Sequence, residues 1–184
     1  MNIKEINLII KQDYIEKYQN GYPLIDRESI VDWHKVEEEG TILNLLNSKK
    51  KFIAKGYYGI QNKGYGWVLS NKKEQKIDTS FFIHKIKSAI EYRVDFFADK
   101  ETTAFRVFNG EGDGVGGFTI DYFDGFYMIT WYSIGIYQLK DKILEAVKKS
   151  VDYKGIYQKK RFDGKGNYLD DADDFITGER AGSP

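Results

Sequence analysis

The sequence predicts an α+β fold of two small units, and three observations carry that prediction. Short apolar runs at 41–46, 51–58 and 65–69 are separated by loop-like stretches, the pattern of a small β-rich barrel. A helical apolar period follows at Phe82, Ile86, Ile90, Val94 and Phe97. Strand patterning then returns, with 118–123 and 126–132 flanking Asp124-Gly125, a dipeptide suited to the left-handed backbone of a tight hairpin turn.

Taken in order, residues 1–72 read as the barrel, with turns at Asn47-Ser48-Lys49-Lys50 and over 59–64. Residues 70–77 are polar and read as a connection, after which Asp78, Thr79 or Ser80 is placed to cap the helix. A strand over 104–108 leads into the glycine-rich stretch 110–117 and then the hairpin. A second helix over about 136–150 puts Ile136, Leu139, Ile143 and Val147 on one face, and 155–157 reads as a last strand. Residues 73–160 thus form an α+β unit with a strand-hairpin sheet and two helices. From 161 to 184 the chain is polar, rich in Gly and Asp and without an apolar period, so it reads as a linker.

With 184 residues, 41% of them hydrophobic and 16% aromatic, there is apolar material for one ordinary domain or two small ones that lean on each other. The chain has no cysteine, which excludes disulfides, thiolate nucleophiles and zinc-thiolate sites and suits a reducing cytoplasm. No run approaches the roughly 18 apolar residues of a membrane-spanning helix, and the first residues do not pattern as a signal peptide. A soluble cytoplasmic protein without a membrane partner is expected.

Formal net charge is zero, but its distribution is uneven: residues 41–76 hold eight lysines against a single acid, Glu74. Aromatic residues interleave with them. Lysines neutralise phosphates and flat rings stack on bases, so the segment suits a nucleic-acid surface. The alternative is a solvated sheet face with its rings in the core.

The stretch Gly112-Asp113-Gly114-Val115-Gly116-Gly117 is a literal G-x-G-x-x-G. In a dinucleotide fold such glycines precede a helix whose N-terminus receives a pyrophosphate. Here strand-like Phe118-Thr119-Ile120 comes next, and Glu111 and Asp113 would repel a phosphate, so a glycine-rich strand connection is expected instead. Glu111 and Asp113 could form an acid pair, yet no nucleophile or metal partner stands near them in sequence. Asp171-Ala172-Asp173-Asp174 opens like a calcium loop, but Phe175 and Ile176 break the ligand pattern. His34 and His84 have no metal spacing. No catalytic, cofactor-binding or metal-ligating residue is assigned.

Two stretches resemble a known family. Asn20-Gly21-Tyr22-Pro23-Leu24-Ile25, then Glu39-Gly40-Thr41-Ile42 and Phe52-Ile53-Ala54-Lys55-Gly56-Tyr57-Tyr58, resemble the PUA domain that opens a family of bacterial class I SAM-dependent 23S-type rRNA (cytosine-5) methyltransferases. The segment from Ala104 to Gly114, with Thr119-Ile120-Asp121 and Gly155-Ile156-Tyr157, resembles the central domain of that family. Many members carry Leu-Pro-Gly where this chain has Val115-Gly116-Gly117, a variation that resembles a low-G+C Gram-positive branch.

The resemblance implies a PUA-like barrel followed by the central α+β domain. It also implies that the SAM-binding catalytic domain, which in the family comes after an element like Thr177-Gly178-Glu179, lies outside this chain. The function expected is therefore RNA binding and substrate positioning, with structured ribosomal RNA and the catalytic domain as partners, no cofactor in this chain and no activity of its own. RNA-binding candidates are Tyr22, Lys49, Lys50, Lys51, Lys55 and Lys63, with Tyr57 and Trp67 as stacking rings and Lys159, Lys160 and Arg161 extending the track. Two alternatives remain open: a scaffold or homodimerisation module that binds RNA weakly, and a complete small enzyme using Glu111 and Asp113.

Overall fold

The computed structural model describes residues 4–61, 64–99, 101–162 and 174–182. The first unit begins with β1 (Glu5–Ile9), continues through the short helix α1 (Ile15–Gln19) and β2 (Leu24–Asp26), and reaches β3 (Ile42–Leu46), β4 (Phe52–Gln61) and β5 (Gly64–Ser70). Its sheet order is β1-β3-β4-β5-β2. β1 runs parallel to β3, with Glu5 opposite Ile42 and Ile9 opposite Leu46; the other neighbours are antiparallel. A bridge between Ile10 and Ile30 joins the first strand to the segment beyond β2, so the sheet curls shut as the expected barrel.

The second unit holds α2 (Thr79–Tyr92), α3 (Val94–Ala98), β6 (Ala104–Asn109), β7 (Phe118–Phe123), β8 (Phe126–Trp131), α4 (Ile134–Tyr137), α5 (Lys140–Ser150), β9 (Gly155–Lys160) and β10 (Phe175–Gly178). The sheet order is β10-β9-β8-β7-β6. The β7–β8 hairpin turns on Asp124 and Gly125, both at positive φ, 45° and 91°, which is the mirror-type turn that matches strand twist. Asp78 caps α2 by accepting a hydrogen bond from Phe81 N at 3.0 Å. No helix among the described residues is long and apolar enough to cross a membrane.

Several elements differ from expectation for local reasons. The first predicted helix is two helices, broken at Arg93, whose guanidinium donates back to Ala89 O and to both oxygens of Asp113. The second breaks at Gln138 and Leu139, leaving α4 as a short turn capped by Ser133. The stretch 161–184, expected to be a linker throughout, instead returns as β10 and pairs antiparallel with β9; Glu179 N also donates to Lys154 O at 2.7 Å. The acidic positions Asp170, Asp171 and Asp173 lie outside the described residues.

Two apolar cores organise the molecule. One fills the barrel around Leu8, Tyr18, Ile25, Leu43 and Tyr58. The other runs through the second sheet and α2 and α5, and it takes in Ile42, Tyr57, Trp67 and Leu69 from the barrel. The units are therefore joined by a shared core. The glycine-rich connection expected from sequence is the contact piece: it forms a single 3-10 turn, Gly110–Asp113, then enters β7 as a strand connection.

At this seam Tyr57 and Trp67 sit opposite each other on β4 and β5 and stack with centroids 5.4 Å apart. Tyr57 Oη donates to Gly116 O at 2.8 Å, and Trp67 Nε1 donates to Glu111 Oε1 at 2.9 Å. A Cβ at Gly116 would lie 2.1 Å from Trp67 Cδ1, so only glycine lets the indole lie on the backbone there. Asp113 holds the other end of the loop, bound to Arg93 at 2.9 Å and accepting from Asn109 N at 2.6 Å. That ion pair is largely shielded from water, so Asp113→Ala, which strands the guanidinium, is expected to cost about 2–3 kcal/mol. Urea unfolding followed by circular dichroism checks this; an unchanged midpoint would show that the pair contributes nothing.

Candidate nucleic-acid interface

The barrel places a cluster of cationic and aromatic side chains where three segments meet. Ile10 N donates to Leu46 O at 2.9 Å, Lys11 N to Ser29 O at 2.8 Å and Val31 N to Ile9 O at 2.9 Å. The strand end that leads into Lys11 thus runs beside the one that leads into the 47–51 turn, with residues 27–31 on its other flank. A cavity of about 820 Å³ opens here, lined by Lys11, Ile30, Val31, Trp33 and the Asp26-Arg27-Glu28 segment.

Its chemistry is that of a cationic stacking shelf. The Arg27 guanidinium carbon lies 3.5 Å from the Trp33 ring centroid, and Trp33 is 39% exposed. A guanidinium laid flat on an indole presents a second flat, positively charged face to whatever enters. Both acids on the wall are already engaged. Asp26 binds Lys17 at 2.6 Å, and this bond holds the Lys17 ammonium above the ordinary lysine pKa. Glu28 accepts a hydrogen bond from Tyr14 Oη at 3.0 Å, a bond that raises the phenol's pKa.

The 47–51 turn is held chiefly by the Asn47 side chain. Asn47 Oδ1 accepts from Lys49 N and Lys51 N, and Lys50 N donates to Asn47 O. Lys50 sits at φ 59°, a left-handed conformation that costs a non-glycine residue about 1 kcal/mol. Three exposed lysines are thereby fanned out on a tight, ordered tip.

The structure separates the predicted residues. Tyr22 is exposed, with Lys17 Nζ 3.8 Å over its ring, and reaches the shelf through the Lys17–Asp26 bond. Lys49, Lys50 and Lys51 are exposed on the turn that follows the Leu46 end of β3, where Ile10 N meets Leu46 O. Tyr57 and Trp67 are corrected: they are 0% and 2% exposed, locked in the seam and closed to a base. Burial also pushes the Tyr57 phenol far above its usual pKa. Lys55 is corrected too, because it is buried, paired with Glu5 at 2.8 Å and bonded to Gln75 O. Lys63 lies outside the described residues. Lys159, Lys160 and Arg161 belong to β9 and its end, in the second sheet; Lys160 Nζ sits 5.3 Å from the Tyr137 ring centre and Arg161 Cζ 5.9 Å from that of Tyr132. Sequence reasoning missed Lys11, Arg27 and Trp33. The available signal was a tryptophan set among polar neighbours, Asp32-Trp33-His34-Lys35, outside any apolar run. Glu111 and Asp113 are engaged at the seam, by Trp67 and by Arg93. The glycine loop is filled by Trp67 and Tyr57, so it does not fit a nucleotide cofactor, and no chemical step is routed through it.

A PUA-like domain model matches residues 8–71. "Putative ribosomal RNA large subunit methyltransferase YwbD" of Bacillus subtilis (strain 168) is 47% identical over 179 residues, which are 96% of this chain and 45% of that protein. Ribosomal RNA large subunit methyltransferase I of Alteromonas mediterranea is 23% identical over 85% of this chain and 39% of its own length. Among solved structures, "a putative SAM-dependent methyltransferase from Streptococcus mutans" superposes with TM-score 0.81 at 29% identity, over 96% of this chain and 44% of that one. The structure of SMU.776 complexed with SAH superposes with TM-score 0.80 at 27% identity, over 97% of this chain and 44% of that one. The chain thus spans less than half the length of the relatives it matches.

These matches correct two expectations. An RNA-positioning module set apart from methyl transfer is overturned, because the alignments with methyltransferases run over 96–97% of this chain; an enzyme reading fits them better. The expectation of no cofactor is overturned by the SAH complex, which matches 97% of the chain. The matches give no support to the expected absence of the catalytic domain or to a homodimer. What they and the fold establish together is that residues 8–71 form a PUA-like domain at the head of a mixed α+β chain of two sheets.

Proposed function

We propose that this chain acts in SAM-dependent methylation of large-subunit ribosomal RNA in the cytoplasm, gripping the RNA at the barrel cavity and the 47–51 turn. The observation that carries the reading is the near end-to-end likeness of the chain to proteins named for that reaction, with a cationic stacking shelf on its PUA-like domain. In this reading residues 1–72 engage RNA and residues 73–160 carry the barrel on a fixed seat. Lys11, Lys49, Lys50 and Lys51 meet phosphates, and the Arg27–Trp33 stack and Tyr22 meet exposed bases, the feature by which folded RNA is read. Lys159, Lys160 and Arg161 extend the contact along the second sheet. The acceptor is a cytosine C5 and the methyl donor is SAM.

Deleting the gene that encodes the chain and mapping modified nucleotides of large-subunit rRNA by mass spectrometry tests this. One cytosine is expected to lose its methyl group and to regain it when the gene is restored. An unchanged modification map overturns the reading.

A further inference from the structure

A second recess lies away from the barrel cavity, where the connection between the units crosses α2. Its volume is about 660 Å³, its floor is Leu69 and Phe81, and its polar lining includes Asn71, Lys72, Lys76, His84 and Lys85. Two acids share the lining, Glu74 and Asp78. Asp78 is used, because its carboxylate caps α2. Asn71 is used as well, donating to Tyr18 O and Gln19 O at the rim.

Lys85 stands out among these groups. It is half-buried, and its ammonium lies against the glycine loop: a Cβ on Gly114 would be 2.6 Å from Nζ. Among the described residues it has no hydrogen-bond or ion-pair partner, and its only aromatic neighbour is the Phe81 ring, 5.7 Å from Nζ. Burial pulls its pKa below the ordinary lysine value. A half-buried ammonium without a counter-charge gives up part of its hydration with no partner in exchange. A phosphoryl oxygen entering the recess would restore both hydrogen bonds and charge, and Lys72, Lys76 and His84 are placed around the same opening to share it.

We infer that this recess between the units is a phosphate-binding site, with Lys85 as its anchor and Lys72, Lys76 and His84 at its mouth. The phosphoryl group can come from an RNA backbone or from a free phosphate compound. The site stands independently of the barrel cavity, on other residues and other elements.

The chain supplies its own reporters, since it has two histidines: His84 lines the recess and His34 adjoins Trp33 in the barrel. Proton NMR of the two imidazoles, assigned with His34→Gln, tracks titration of the full chain with inorganic pyrophosphate and, separately, with a single-stranded RNA oligonucleotide. Pyrophosphate is expected to shift His84 and leave His34 in place. Lys85→Gln is expected to weaken this binding about tenfold or more, while Lys85→Arg, which keeps the charge, retains most of it. A melting temperature for each variant shows that folding is intact.

In the RNA arm, Lys85→Gln should abolish the His84 shift and leave that of His34. If His84 stays still with both pyrophosphate and RNA while RNA shifts His34, the recess is overturned and the barrel reading spared; if RNA shifts His84 alone, the reverse holds. Tighter binding of RNA than of pyrophosphate identifies the backbone as the source, and the opposite order identifies a free phosphate compound. If pyrophosphate moves neither histidine, or moves His84 equally in Lys85→Gln, the recess is not a phosphate site.

Discussion

Replacing Trp67 with alanine is expected to destabilise the chain by about 3–5 kcal/mol, the range for deleting a large buried aromatic. The indole is 2% exposed, and its loss removes three things together. The stack on Tyr57 goes, the shelf under Gly116 empties, and the Glu111 carboxylate loses its indole N–H donor. Because the ring belongs to the core shared by both units, the loss should lower one common unfolding transition rather than split it in two. Circular dichroism in urea reads the midpoint without relying on tryptophan fluorescence. Trp67→Phe keeps much of the packing but leaves Glu111 without its donor, and should cost less, about 1–3 kcal/mol. Gly116→Val attacks the same contact from the other side and should be comparably damaging to Trp67→Ala. A loss below about 1 kcal/mol for Trp67→Ala would mean that the units touch without depending on each other.

Changing Lys49, Lys50 and Lys51 together to glutamate should reduce affinity for structured ribosomal RNA on the order of 100-fold at low salt, with folding unchanged. The basis is geometric: the turn is pinned by Asn47 and its three lysines are exposed. The slope of log affinity against log salt should fall by about two to three, because up to three phosphate contacts no longer release counter-ions. Fluorescence anisotropy over a salt series measures both quantities. Arg27→Ala should behave differently, lowering affinity about tenfold or more while leaving the salt slope nearly unchanged, since its main contribution is a flat face. If the triple variant binds with unaltered affinity and slope, RNA does not pass over this end of the barrel.

The strands that the sequence disclosed are those whose signal is local. The runs at 41–46, 51–58 and 118–123 are apolar, bounded by turn residues and long enough to show a pattern, and Asp124-Gly125 declares its turn outright. β2 has three residues and β10 four, too few for any period, so pairing partners alone create them. The candidate rings failed for a related reason. β4 and β5 are buried on both faces, one against the barrel core and one against the second unit, and a strand's sequence cannot say that a second layer will cover its outer face. Lys55 went the same way, because Glu5 and the carbonyl of Gln75 reach it only after β1 and the connection have folded over it. The glycine-rich stretch was legible as a strand connection because Phe118-Thr119-Ile120 alternates like a strand immediately after it. That it would receive an indole was not legible, since Trp67 is remote in sequence.

The parallel pairing of the first strand has a consequence for the order in which the barrel is made. A hairpin can form as soon as its second strand exists, but Glu5–Ile9 lies alongside Ile42–Leu46 in the same direction, and a parallel neighbour must come from a crossover. During synthesis the apolar Ile-Asn-Leu-Ile segment precedes β3 and can meet the 29–32 stretch first, but its full ladder waits until residue 46 has emerged. The ring shuts on β1, a strand made before its parallel neighbour and left to wait for it.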